Sequence, residues 1–291
     1  MTTFKSRVLL IRGLGHSGTT ILDLALGAHS RITGLGEAVR LLEKPAPGEH
    51  HRGPAQLRGA LRHERLCTCG KVAAQCPVWG PVLTWLPEHD DEPLLVKLNF
   101  LLKTLGPSLS SDTLQSGWVV ESFQDDFSLP RLDDPSLEVR VIHLTRDVRS
   151  WVHSRARDRR AKGAWLPGLR PLLRWWRLSA RHERLLKAAG KPVFRLGYEE
   201  LALEPEETLR RLCAWLDLDF EGEMLQPLLF SGSHILSGNR VRFDAQKARS
   251  IRYDGSWMRV RTGVAELALL LPWLADLNRR LVYSNDSQRW R

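Results

Sequence analysis

The sequence predicts an α/β protein, a doubly wound, mostly parallel sheet with helices on its faces. Three observations carry that expectation. An apolar run, Val8–Ile11, passes through a turn rich in glycine and hydroxyls into apolar residues at helical spacing (Ile21, Leu24, Ala25, Ala28). Strand-like runs then alternate with helical stretches, the order that builds parallel sheets. The polar motifs each fall just after a strand, where ligands of such sheets bind.

Composition narrows the class. A chain of 291 residues with 43% hydrophobic and 26% charged side chains is long enough for one large α/β domain and reads as soluble and globular. No apolar run approaches the ~20 residues of a membrane span. The opening MTTFKSRVLL enters a core strand almost at once, which leaves no room for a signal peptide or stem, so a cytoplasmic protein is expected. The net charge of +10 is concentrated: Arg140 to Lys187 holds 14 Lys and Arg against three acids. Such a stripe suits nucleic acid, an anionic membrane surface or an acidic small molecule, and equally a solvated helix face with its tryptophans turned inward.

In chain order, Val8–Ile11 is the first strand, and Gly34 and Gly36 break the chain before Glu37, after which helical spacing resumes at Val39 and Leu42. Residues 44–54 are rich in Pro, Gly and His and read as a surface loop. Cys67, Cys69 and Cys76 follow closely. His63 could complete a set of metal ligands, but C-x-C-x6-C is not a standard zinc spacing. Free structural thiols, without metal, are the expectation there. Pro93–Leu105 reads as a helix, Trp118–Phe123 and Glu138–Thr145 as the second and third strands, and Val148–Arg160 and Leu169–Ala189 as helices. Pro192–Leu196 is the fourth strand, leading through Gly197-Tyr198 to a helix from about Glu204 to Leu216. One domain spans residues 1–291, with an insertion at about 44–93. A glycine-rich basic segment at about 231–260 folds back over the site.

Two motifs carry chemistry. The first turn, Gly13-Leu14-Gly15-His16-Ser17-Gly18-Thr19-Thr20, sets backbone N–H groups at a helix N-terminus, an anion site. It nearly matches the phosphate loop G-x-x-x-x-G-K-[ST], but Thr19 stands where the lysine of that loop would reach the outer phosphates. In the second motif, IHLTRDVRSWVHS, Arg146 ends a strand and Ser154 lies eight residues on, about two helical turns. An arginine fork and a hydroxyl on one face suit a dianionic phosphate. The bland alternative is an arginine that caps the network of its own Asp147.

The His16–Thr20 run, HSGTT, resembles the 5′-phosphosulfate loop of sulfotransferases that use 3′-phosphoadenosine 5′-phosphosulfate (PAPS), and Arg146 with Ser154 resembles their 3′-phosphate motif. Two further segments agree. RLGYEEL followed by Pro-Glu resembles the family's Tyr-Glu-Asp-Leu stretch, with Tyr198 against the adenosine portion. Gly238, Asn239 and Arg242 resemble its C-terminal Gly-Asn-x-x-Arg element. The Cys-x-Cys-Gly…Cys-Pro-x-Trp run also resembles segments of bacterial relatives. The resemblance implies a P-loop NTPase-like three-layer sulfotransferase fold. It implies PAPS as sulfuryl donor held by Gly15, His16, Ser17, Gly18, Thr19, Thr20, Arg146, Ser154, Tyr198, Asn239 and Arg242, with no metal. The acceptor would be a small molecule or glycan hydroxyl, or an amine. Glu37 resembles the catalytic carboxylate of tyrosyl-protein sulfotransferases, which implies a general base; a surface glutamate opening a helix is the alternative. His16 takes the loop position of a basic residue and implies a hydrogen-bonding acid. One departure stands out: relatives end the second strand with Asp-Ser-Ser-Lys, and this chain has Glu121-Ser122-Phe123-Gln124, without that charge.

Two other classes stay open on the residues alone. A kinase-like NTPase would need the missing lysine, with Glu121 as its Mg²⁺ ligand. A nucleic-acid-binding protein would rest on the basic stripe, although no nucleic acid is expected as partner.

Overall fold

The computed structural model describes residues 6–44, 65–105, 117–123, 134–158, 168–244, 246, 249–259 and 264–283. The strands are β1 (Ser6–Gly13), β2 (Ile32–Gly34), β3 (Trp118–Glu121), β4 (Leu137–Thr145) and β5 (Val193–Gly197). They form one sheet in the order β2-β3-β1-β4-β5. The pairs β1–β3, β2–β3 and β4–β5 run parallel, with Val8 beside Val119, Thr33 beside Val119 and Leu144 beside Leu196. Val8, Leu9, Leu10 and Ile11 are all buried, as a strand covered on both faces requires. The expected strands are present, and β2 joins them as a fifth. Its three residues, Ile-Thr-Gly, are too short to show a period of their own; they extend because β3 supplies their partners.

Along the chain the helices are α1 (Thr19–Leu26), α2 (Ala38–Leu42), α3 (Trp79–Trp85), α4 (Leu94–Leu105), α5 (Val148–Asp158), α6 (Leu169–Ala189), α7 (Tyr198–Leu203), α8 (Pro205–Trp215), α9 (Pro227–Phe230), α10 (Val264–Leu267) and α11 (Pro272–Val282). The contacts divide the chain into two compact units. The first comprises Met1–Ile11, Thr20–Arg140 and Phe220–Ser250; the second comprises Arg12–Thr19, Val141–Asp219 and Ile251–Arg291.

The first unit contains β2 and β3 with α2, α3 and α4. Trp118 is buried under the guanidinium groups of Arg7 and Arg140, which lie 5.4 and 4.9 Å from its ring. Of the segment expected as an insertion, residues 65–93 are described. They hold a turn closed by a Leu66–Val72 bridge, a 3₁₀ turn at Ala73–Gln75, and α3.

The second unit packs α5, α6, α10 and α11 around Trp151, Trp175, Leu172, Leu274, Leu277 and Leu281. Helix α6 shows why its stripe is basic. Leu172, Trp175, Ser179, His182 and Leu186 recur three and four residues apart and are buried, while Arg174, Arg177, Arg181, Arg184 and Lys187 face solvent. Of the tryptophans that alternate with the charges, Trp151 and Trp175 are core side chains, while Trp176 is exposed. Trp165 lies outside the described residues. Helix α11, which the weak periodicity after Ser231 does not announce, buries Asn278 and Leu281 against this core. Among the described residues no helix is long and apolar enough to cross a membrane.

Candidate functional site

In the second unit, β1 ends in a loop that the backbone can form only with glycine at its tight points. A Cβ on Gly13 would stand 2.1 Å from the carbonyl oxygen of Leu144. Gly18 has φ +94°, and His16 takes a left-handed φ of +74° without being glycine. The Ser17 N–H donates to the Leu14 carbonyl at 3.1 Å, which closes the turn before Thr19 opens α1. Ser17 is buried, and its Oγ has no hydrogen-bond partner among the described residues. An orphaned hydroxyl inside a glycine loop at a helix N-terminus fits a phosphate or sulfate oxygen.

Arg146 reaches this loop directly. It is buried; its guanidinium donates to the His16 carbonyl at 3.2 Å, to Ser150 Oγ at 2.7 Å and to Asp254 Oδ2 at 3.0 Å, and lies 4.7 Å over the Tyr198 ring. The hydroxyl beside Arg146 is therefore that of Ser150. Ser154, the residue the spacing singles out, sits one turn on with its Oγ 3.5 Å from His16 Nδ1. Trp151 and Trp175 fix the frame, their indole N–H groups donating to the carbonyls of Gly15 and Arg146 at 2.9 and 3.0 Å. The Tyr198 hydroxyl donates to the Arg252 carbonyl at 3.0 Å and accepts from the Asp254 N–H at 3.2 Å, which ties the 252–254 segment to Arg146.

Asp147 answers the bland reading of this motif. Its carboxylate pairs with Arg149 at 2.9 Å, not with Arg146, and accepts from Asn278 Nδ2 and the Tyr283 hydroxyl on and beside α11. Despite burial, these donors, Arg149 foremost, hold the Asp147 carboxyl below its usual range. Glu199 accepts the Asp147 N–H at 2.9 Å, and burial pushes its own carboxyl up to about 7. Apart from the Arg146-Asp147 pair itself, none of these groups is marked in the sequence.

In the first unit, Glu37 precedes α2 in a tight bend. Gly36 has φ +67°, and a Cβ there would stand 2.4 Å from the Ser237 carbonyl oxygen. The Glu37 N–H donates to that same carbonyl at 3.0 Å, while its Oε2 accepts from Ser237 Oγ at 3.2 Å and from Arg40 at 2.9 Å. Glu37 is buried, so it is not a surface residue merely opening a helix. Asp23 on α1 supports the bend from behind. Its Oδ2 accepts from Gly36 N–H at 3.1 Å and Ser122 Oγ at 2.6 Å, and burial pushes its carboxyl up to about 7. Glu121 spends its Oε1 on the N–H groups of Val39 and Phe123, at 3.1 and 3.0 Å, a capping role. Gln124 and His63 lie outside the described residues.

The C-terminal element of this unit is placed differently from a simple ligand clamp. The Asn239 N–H donates to Thr20 Oγ1 at 3.4 Å, and its side chain caps Val241 at 3.0 Å. The Arg242 guanidinium is buried against the carbonyls of Gly238, Asn239 and Leu236, and burial lowers it to about 10. Arg242 thus shapes its own segment. The same segment brings His234 to the cysteines, with Nδ1 3.3 Å from Cys76 Sγ.

A parallel sheet whose first strand opens a glycine loop at a helix N-terminus, with a buried arginine over the loop, gives an α/β protein of the P-loop-like class. Residues 138–222 match the model of the Sulfotransferase family. The chain is 31% identical over 192 residues to human (Homo sapiens) carbohydrate sulfotransferase 6, a match that covers 55% of this chain and 46% of that protein; it thus spans about half of that relative's length. Among solved structures it resembles the sulfotransferase domain from the curacin biosynthetic pathway, with a TM-score of 0.51 and 18% identity over 98% of this chain and 99% of that one. The sulfotransferase domain of the Synechococcus PCC 7002 olefin synthase is similar at a TM-score of 0.46 and 18% identity, covering 94% and 88%.

Proposed function

We propose that this protein transfers a sulfuryl group from PAPS to a hydroxyl, or amine, of a carbohydrate or glycolipid acceptor. The observation that carries the reading is the Arg146 guanidinium, held against the His16 carbonyl of a glycine loop whose Ser17 hydroxyl is buried without a partner. The likeness to a carbohydrate sulfotransferase supports the acceptor class.

The donor supplies an activated sulfuryl group; the chain's residues bind it and move the proton. In the second unit Gly15–Thr19 present the loop N–H groups and hydroxyls to the 5′-phosphosulfate, and Arg146 and Ser154 meet the 3′-phosphate. Tyr198 packs against the adenosine. Asp254 holds Arg146 and must yield one of its N–H groups to the phosphate. His16 donates a hydrogen bond to the oxygen of the departing phosphate. In the first unit the Asn239 N–H donates to Thr20 Oγ1, and the resemblance implies a nucleotide-binding role for both. Arg242 holds the segment around Asn239 in shape. Glu37 takes the acceptor's proton as the oxygen attacks. Ser237 and Arg40 both donate to its Oε2, which keeps the carboxylate oriented.

The test is the release of adenosine 3′,5′-bisphosphate from PAPS on addition of mono- and oligosaccharide acceptors. Acceptor-dependent release with a matching sulfated product is expected. Tight PAPS binding without release for any carbohydrate, lipid-linked or amine acceptor would overturn the reading.

A further inference from the structure

We propose that Cys67, Cys69, Cys76 and His234 form a structural zinc site that fastens the segment carrying Ser237 to the frame around Glu37. The ligand atoms of these four side chains lie within 4.8 Å of one another. The Cys67 and Cys76 sulfurs are 3.7 Å apart, and His234 Nδ1 is 3.3 Å from the Cys76 sulfur. A tetrahedral Zn²⁺ with bonds of ~2.3 Å to sulfur and ~2.1 Å to nitrogen sets these separations near ~3.8 and ~3.6 Å. All four cysteines of the chain are free, so no disulfide claims these sulfurs. Three thiolates and an imidazole make a closed set with no position left for water or substrate, which assigns a structural role and favours zinc over harder cations.

The backbone around the sulfurs is pinned. The turn that presents Cys67 and Cys69 is closed by Cys67 N–H to the Lys71 carbonyl at 2.9 Å and by Gly70 N–H to the Cys67 carbonyl at 3.0 Å. Gly70 takes φ +82° with nothing within 4 Å of a Cβ placed there, so the left-handed turn itself requires the glycine.

His234 is delivered by a laced backbone. Its carbonyl accepts from the Trp79 indole at 2.5 Å, and its N–H donates to the Gly34 carbonyl at 2.7 Å. Thr68, between the two outer cysteines of the turn, donates its hydroxyl to the Ser233 carbonyl and accepts the Ile235 N–H at 2.8 Å. Three residues beyond His234 stands Ser237, which donates to the Glu37 carboxylate. A metal here would therefore join the cysteine turn, the start of α3 and the 233–237 segment at one point. Sequence reading expects no metal because C-x-C-x6-C is not a standard zinc spacing and only His63 lies close enough to suggest a fourth ligand; His234 lies 158 residues from Cys76.

The full chain, produced in zinc-supplemented medium and dialysed against metal-free buffer, tests this by metal analysis. About one zinc per chain is expected, reduced about tenfold or more by Cys76→Ser or His234→Ala and unchanged by Cys213→Ser. Ligand variants could fail to fold, so the wild type is also stripped with chelator and titrated with Co²⁺. A tetrahedral visible band and a thiolate-to-cobalt band, both bleached by Zn²⁺, are expected. Stripping should speed amide exchange across 233–237 by about tenfold or more. Metal-free protein without a cobalt spectrum, or a Cys67–Cys76 disulfide in the freshly purified chain, would overturn the site. Unchanged exchange on stripping would overturn its fastening role.

Discussion

In the second unit the groups suited to a phosphate stand within one short motif or another: the loop from Gly13 to Thr19, and Arg146 with Ser150 and Ser154 on one helical start. In the first unit Glu37 is held by Ser237, 200 residues further along, and the bend behind it by an Asp23–Ser122 pair 99 residues apart. A phosphate can be gripped by N–H groups that follow from one strand–turn–helix. A general base must instead be oriented and partly desolvated, and that takes partners from distant parts of the chain. The two regions should accordingly fail in different ways.

The largest effect is expected at Arg146. Arg146→Ala removes a charge-assisted fork and should weaken adenosine 3′,5′-bisphosphate by about 2–4 kcal/mol, roughly 30- to 1,000-fold. Isothermal titration on folded protein reads this directly; a loss below threefold would mean that Arg146 serves only Asp254 and the loop carbonyl. Next is Glu37→Gln, expected to lower turnover by about 10²-fold with nucleotide affinity nearly intact. If Glu37→Gln instead cost both equally, the two regions would not divide the labour as argued. Ser237→Ala should act in the same sense but more weakly, by about tenfold or less, through lost orientation of Glu37.

The contrast also fixes what could be read from the sequence. The strands β1, β3, β4 and β5 and the loop after β1 were legible because apolar runs and glycine turns are local signals. So was Arg146 at the end of β4. The hydroxyl that Arg146 itself bonds was not legible: the spacing points to Ser154 for the phosphate, while the arginine precedes the helix and bends onto Ser150 in its first turn. Asp254, Asn278, Ser237 and His234 had no local signal, since each acts only through a fold that closes over long stretches of chain. The Asp147 alternative could be weighed only in three dimensions, where Arg149 takes the carboxylate.

The pH response should separate the units as well. In the second unit burial, then the charge of Arg195, depresses His143 from 6.5 to about 4; burial, then His143 and Arg181, depresses His182 to about 3. The unfolded chain takes up these protons below about 6.5 and the folded chain does not, so stability should fall as pH drops from 6.5 toward 4. The slope is at most about 1.4 kcal/mol per pH unit per histidine. In the first unit Asp23 keeps its proton up to about 7, so its contribution is full below 3.8 and is lost as pH rises through 7. Urea midpoints of wild type and Asp23→Asn should therefore draw apart as pH rises from 3.8 to 7, with the variant gaining, and run parallel above 7; an equal response to pH in the two proteins would remove Asp23 from this account.

The smallest effect is expected at Asp254. Its carboxylate is half exposed and pairs with Arg146 at 3.0 Å, so it competes with an incoming phosphate. Asp254→Asn should tighten bisphosphate binding by about 0.5–1 kcal/mol, roughly two- to fivefold. Weaker binding would show that Asp254 presents the arginine instead of restraining it.

The central claim is that the glycine loop and Arg146 of the second unit hold a 3′-phosphorylated adenosine nucleotide. Calorimetric titration of the wild type with adenosine 3′,5′-bisphosphate, ATP and a single-stranded oligonucleotide tests it most directly. The account predicts one bisphosphate per chain, bound more tightly than ATP by about tenfold or more because only the bisphosphate carries the 3′-phosphate for Arg146. The oligonucleotide should add only a weak, salt-sensitive signal from the exposed face of α6. ATP binding as tightly as the bisphosphate, or the oligonucleotide more tightly than either, would contradict it.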